Sequence, residues 1–253
     1  MVGITVLDSE GEKLIEQDID EPEIDLEIHI EYQTNKEQEL SLYILNNFQH
    51  KEFTVQGEIY KDFPIVFNET DEFEQISLNI SLENIETKEN DLCILIVGDW
   101  SIYTRRFFLR NTKGDFVDHI EMYENKPEIK SNENIDGERR IEKINGEYQL
   151  ILDVEDTITS DVYREDFNNE QNEEIIYATI VLDANGDIVG EPFYCSSTTG
   201  ELRVMLNEVS CSDGPVMAVV FPYANKFSMK EFENTYKMAL WSSPISVLYL
   251  NRD

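Results

Sequence analysis

Apolar and polar residues alternate along much of this chain with a period of two. Ile24, Leu26, Ile28, Ile30 and Tyr32 are interleaved with Glu23, Asp25, Glu27, His29 and Glu31, so an extended segment puts every apolar side chain on one face and the polar ones on the other. Ile76, Leu78, Ile80 and Leu82 repeat the pattern, as do Tyr148, Leu150, Leu152 and Val154. Such alternation predicts half-buried antiparallel strands, one face on a core and the other in water. Leu92 to Val97 differs, being apolar without interruption, and Cys93 inside it reads as a small buried hydrophobe.

Runs and breakers together predict strands near residues 3–7, 13–19, 24–32, 39–46, 52–60, 63–67, 74–82, 91–98, 104–110 and 116–122. They resume near 141–144, 147–154, 174–182, 187–195, 201–206, 215–221 and 245–250. Many short strands at this spacing have the rhythm of a sandwich. Residues 126–140 are polar and aperiodic and predict a linker, and 155–173 form a polar loop rich in acid and Asn. The one predicted helix runs from Ser228 to about Met238, where Ser228 and Glu231 have capping-box spacing and Phe232 and Tyr236 lie one turn apart. The expected fold is therefore all-β: two antiparallel β-sandwich domains of immunoglobulin type, 1–126 and 140–253, joined by a linker over 127–139, with at most one short helix near 228–238.

An internal echo accompanies this division. Ile4-Thr-Val-Leu-Asp8-Ser-Glu-Gly11-Glu and Thr179-Ile-Val-Leu-Asp183-Ala-Asn-Gly186-Asp both read as a strand, an acidic turn with Gly and a second strand. Two similar hairpins account for it, since Gly supplies the positive φ of a tight turn.

Charge narrows the partners. The 53 acidic and 20 basic residues give a formal charge of −33, with acid in excess in both halves. That argues against attraction to nucleic acid or to an anionic membrane and favours cations or cationic partners near the surface. The composition, rich in Ile, Asn and Glu and poor in Ala, looks like a low-GC bacterial proteome rather than a salt-adapted one. The acidic row of residues 23–31 reads as a solvated strand face that discourages edge pairing.

Cys93, Cys195 and Cys211 are too few for a disulfide framework, although Cys195 and Cys211 flank a predicted hairpin and could pair in an oxidising compartment. No run reaches the roughly 18 apolar residues that cross a bilayer, so direct membrane insertion is not expected. The start, Met-Val-Gly-Ile-Thr-Val, does not read as a signal peptide. The expected location is the cell envelope if a leader has been removed, and the cytoplasm otherwise.

The segment Leu42-Tyr-Ile-Leu-Asn-Asn-Phe-Gln-His-Lys-Glu-Phe-Thr-Val55, with the later run Asp91-Leu-Cys-Ile-Leu-Ile-Val97, resembles uncharacterised extracytoplasmic proteins of low-GC Gram-positive bacteria. The resemblance implies immunoglobulin-type sandwiches, often exported or lipid-anchored, and carries no chemistry with it.

Three sets of residues are candidates for function. Asp183, Asn185 and Asp187 have the one-three-five oxygen spacing that opens a Ca²⁺ loop, but Tyr194 stands where such a loop ends in Glu, so a plain hairpin turn or at most weak Ca²⁺ binding is expected, with no other cofactor. His29, His50 and His119 are scattered, without metal spacing. The segment holding Trp100, Tyr103, Arg105, Arg106 and Arg110 is where base and aromatic concentrate in an acid-coated chain, and these residue types dominate binding hot spots. With no nucleophile motif or Gly-rich phosphate loop, the expected function is a non-enzymatic binding or structural module with a protein partner. The alternative is a carbohydrate-active or metal-dependent enzyme on a β scaffold, which requires paired carboxylates in a cleft lined by Trp or Tyr.

Overall fold

The computed structural model describes residues 1–98, 101–117, 139–144, 147–153, 175–183, 185–197, 201–205, 216–232, 238, 241–242 and 244–249. The chain divides into two compact units, Met1–Val117 with Lys226–Glu231, and Asp118–Asn225 with Phe232–Asp253. Both are built from β-strands, and the fold is all-β. Most of the predicted linker, residues 127–138, lies outside the described residues, as does 118–122 of the strand predicted over 116–122.

The first unit comprises β1 (Val2–Leu7), β2 (Glu16–Ile19), β3 (Ile24–Thr34), β4 (Gln38–Asn46), β5 (Gln49–Lys51), β6 (Phe53–Val55), β7 (Glu58–Tyr60), β8 (Asp62–Phe67), β9 (Thr70–Leu82), β10 (Glu89–Gly98) and β11 (Ser101–Asn111). One sheet has the order β1-β3-β9-β6-β7 and the other β2-β11-β10-β4-β5, with β8 also on β4. The chain changes sheets after β1, and β2 runs parallel to the last strand, β11. This strand order is that of an immunoglobulin-type sandwich.

Alternation in β3 does what period two requires: Leu26, Ile28, Ile30 and Tyr32 are all buried in the core between the sheets, and Glu27, His29 and Glu31 take the other face. On β10, Leu92, Ile94 and Ile96 face the same core, yet Asp91, Cys93, Leu95 and Val97 on the opposite face are buried as well. A strand buried on both faces has no reason to alternate, which explains the unbroken apolar run.

The strand predicted over 52–60 is instead two strands, and a further short strand precedes it. Successive positive φ angles at Asn47 and Phe48 (50° and 66°) turn β4 into β5, and the same pair at Gln56 and Gly57 (53° and 87°) turns β6 into β7. Two consecutive left-handed residues form the type I′ turn that matches the twist of a hairpin.

The second unit contains β12 (Arg139–Ile144), β13 (Glu147–Asp153), β14 (Ile175–Leu182), β15 (Phe193–Ser197), β16 (Glu201–Met205), β17 (Val216–Pro222) and β18 (Ile245–Tyr249). They form two antiparallel sheets, β12-β13-β16 and β15-β14-β17-β18. Every residue of β14 and of β17 is buried.

The sequence echo is a geometric repeat. Asp8 Oδ1 accepts the N–H groups of Glu10 and Glu12, both at 2.9 Å. Asp183 Oδ1 likewise accepts those of Asn185 at 2.8 Å and Asp187 at 3.0 Å. Gly11 and Gly186 donate to the carbonyls of Asp8 and Asp183, with φ of 80° and 86°. Beyond the turns, Leu14 N–H meets Val6 O and Val189 N–H meets Val181 O, each at 2.8 Å. The Asp carboxylate organises the turn and the Gly supplies its left-handed position.

Where a helix was predicted from Ser228 to about Met238, the described residues give a 3₁₀ turn, Met229–Glu231, followed by α-helical Met238, Trp241 and Ser242, while 233–237 and 239–240 fall outside the description. The capping box forms in altered register, with Glu231 Oε1 accepting Phe227 N–H at 2.9 Å. Glu16 completes the cap, accepting from Ser228 Oγ and Met229 N–H, both at 2.8 Å. Among the described residues no helix is long and apolar enough to cross a membrane.

Candidate functional site

β11 carries the basic and aromatic residues, and its pleat sorts them. Tyr103, Phe107 and Leu109 face the core between the sheets, Tyr103 at its margin, and period two puts Arg105 on that face and Arg106, Phe108 and Arg110 on the other. β10 lies antiparallel with Cys93 opposite Arg106 and Ile94 opposite Arg105.

Arg106 is buried at 1% exposure and forks onto Asp91, also at 1%, the diagonal neighbour across the ladder. Its guanidinium carbon lies 5.2 Å from the centroid of the Phe48 ring, a cation–π contact in a dry site. Phe48, buried with positive φ, is held by Asn47, whose side-chain Oδ1 accepts Asp91 N–H at 2.8 Å and whose side-chain Nδ2 donates to Glu89 O at 3.3 Å. Burial also pushes the nearby Cys93 thiol far up from its ordinary pKa. The sequence grouped Arg106 with a binding surface; its burial and its pairing with Asp91 make it an internal residue instead.

Arg110 forks onto Asp18 of β2, at 2.8 Å from Nε and 2.5 Å from a terminal nitrogen, with both side chains nearly half exposed. These hydrogen bonds hold the Asp18 carboxyl below its ordinary value. Arg110 therefore ties β2 to β11.

Arg105 differs from both. It is half-buried, its Nε is enclosed without a hydrogen-bond partner, and among the described residues no carboxylate meets it. Burial alone lowers its pKa. Beside it the ladder is open: β2 pairs with β11 only over Phe108–Asn111, and among the described residues no strand is hydrogen-bonded to that side of Ser101–Arg105, although β1 packs close to β11. Phe108 N–H points to that side, reaching Ile15 O at 2.9 Å. By parity, the N–H and C=O groups of Ile102 and Thr104 point to it too. Trp100 lies outside the described residues.

A second concavity, of about 500 Å³, lies on the other sheet and is lined by Asp8, Asp25, Glu27, Thr54, Asn79 and Ser81 among others, with no Trp or Tyr. Its carboxylates are engaged: Asp8 in its turn, Asp25 with Ser81 Oγ at 2.5 Å, and Glu27 with His29 Nε2 at 2.7 Å. The paired free acids and aromatic platform that the enzymatic alternative requires are not assembled there.

Asp183, Asn185 and Asp187 are brought together in the hairpin turn, with Asp183 Oδ1 occupied by two backbone N–H groups. Among the described residues no group of three or more His, Cys, Asp or Glu side chains is placed to hold a metal. Cys195 is buried on β15, and its suggested partner Cys211 lies outside the described residues, as do His119 and the acidic loop 155–173.

No protein-family model matches the chain, and no curated protein does. Among solved structures, similarity extends to a FixG-related protein from Vibrio parahaemolyticus (TM-score 0.31, 12% identity, 44% of this chain and 96% of that one). It extends also to the E. coli chaperone DraB (0.28, 8%, 98% and 97%) and the Pseudomonas aeruginosa CupB2 chaperone (0.25, 11%, 94% and 96%).

Proposed function

We propose that this protein is a non-enzymatic protein-binding module whose first unit takes up an extended partner segment along the open half of β11. The observation that carries this reading is the one-sided pairing of Ser101–Arg105. An unpaired edge offers a ready row of backbone donors and acceptors, and strand addition is a recurring way of using one. Tyr103 and Arg105 flank that edge with the contact area and directional donors suited to recognition. The resemblance to exported sandwich proteins suggests the cell envelope as the place of action.

The test is a selection of nine-residue peptides from a random library on the full chain, followed by Thr104→Pro. Proline at 104 removes an N–H that points away from β10 and leaves the β10 ladder intact. Selected peptides are expected to slow amide exchange at Ile102 and Thr104 and to lose binding to Thr104→Pro, whose melting temperature should change little. Selection without enrichment, or peptides that bind the variant equally, would overturn the reading.

A further inference from the structure

Arg105 is the cation in the first unit whose position is least explained by folding. Arg106 spends its fork on Asp91 and Arg110 on Asp18, whereas the Arg105 Nε is enclosed without a partner in a chain that carries 53 acidic residues. Enclosing a guanidinium nitrogen without a hydrogen bond opposes folding, and burial is the one influence acting on its pKa. An acid opposite it was available to the fold, as the two neighbouring arginines show, and none of the described residues places one there.

We infer that Arg105 is the specificity anchor of the open edge, and that it awaits a carboxylate side chain carried by the bound segment. This rests on the strand-addition reading above. In an added antiparallel strand, the residue opposite Arg105 and its diagonal neighbours fall about 5–8 Å away on the same face. A Glu or Asp there meets the guanidinium with the two-pronged geometry arginine favours. The rest of the segment has the opposite character. A net charge of −33 attracts basic chains and repels acidic ones, so the partner segment is basic overall and carries one carboxylate, placed at Arg105.

The experiment uses the peptides selected on the full chain. Their expected composition is Lys and Arg around a single Glu or Asp. Changing that acid to Gln or Asn in the peptide, which leaves the protein untouched, should weaken binding about tenfold or more. In Arg105→Gln the acidic and amide peptides should bind alike, and Arg105→Lys should restore part of the difference. The Arg105 Nε–H signal should shift on adding the acidic peptide and stay in place with the amide one. If selected peptides protect Ile102 and Thr104 yet lack an acid, or bind equally with Gln, the anchor is refuted while the open edge stands. If no peptide is selected, both ideas fall, and the edge is closed by the chain's own residues or by a second copy.

Discussion

Arg106 and Arg110 stand four residues apart on one face of β11, and each forks onto an aspartate. The Arg106–Asp91 pair is fully buried, and the Arg110–Asp18 pair keeps nearly half of each side chain in water. The same chemistry thus has two different meanings. A buried pair gives up two hydration shells and recovers them only through good geometry, so its presence adds little while its rupture strands a charge. An exposed pair loses little water and gains little when it forms. Arg106 is held in place by the cost of every alternative; Arg110 is a tie that the fold can lose.

Breaking the buried side has the largest expected effect. Asp91→Ala leaves Arg106 enclosed without a counter-charge and should cost about 3–5 kcal/mol, read from native-state exchange of the β10 amides so that the first unit is followed alone. The double change Asp91→Leu with Arg106→Met should regain most of that loss. A double variant no more stable than Asp91→Ala would show that the pair is needed for its attraction rather than for its neutrality.

Asn47→Ala comes next. Alanine at φ near +50° is disfavoured and lacks the bonds to Asp91 N–H and Glu89 O, so about 2 kcal/mol is expected by the same measurement. Asn47→Gly should cost less than Asn47→Ala, separating the backbone contribution from the hydrogen bonds.

The smallest effect belongs to the exposed pair. Arg110→Ala should change stability very little, and the difference should shrink further in high salt. The pair still leaves a mark on titration. Because Arg110 lowers the Asp18 pKa from its ordinary 3.8, the stabilisation it gives is present above pH 3.8 and fades as pH falls through the lowered value. The Asp18 carboxyl signal should titrate below 3.8, and Arg110→Gln should return it toward that value.

The contrast between the two arginines also marks how far the sequence could be read. β3 and β10 were legible because apolar periodicity reports burial directly, on one face in the first case and on both in the second. Arg105 and Arg106 were inseparable by residue type. What divides them is the parity of β11 and the register that sets Cys93 opposite Arg106. Treating Gly98 and Ser101 as the ends of a hairpin would have placed Asp91 diagonal to Arg106, but nothing in the sequence says that the two-faced burial of β10 extends to Arg106 on β11. The turn at Asn47–Phe48 is not legible in the sequence because a left-handed Phe breaks the Asn-Gly habit of such turns, and it persists through the bonds Asn47 makes to β10. The turns at Asp8 and Asp183 were recognisable because their chemistry is local, complete within five residues.

The capping of the 3₁₀ turn by Glu16 has a consequence for the order of biosynthesis. Glu16 emerges from the ribosome 212 residues ahead of Ser228, which at about 5–20 residues per second is a wait of roughly 10–40 s. All eleven strands of the first sandwich are available by Asn111, yet the acceptor on β2 stays without its donors until Ser228 and Met229 have been made. The last act in completing the N-terminal unit is thus performed by the C-terminal region, and a chain released early carries a first sandwich whose Glu16 carboxylate has nothing to cap.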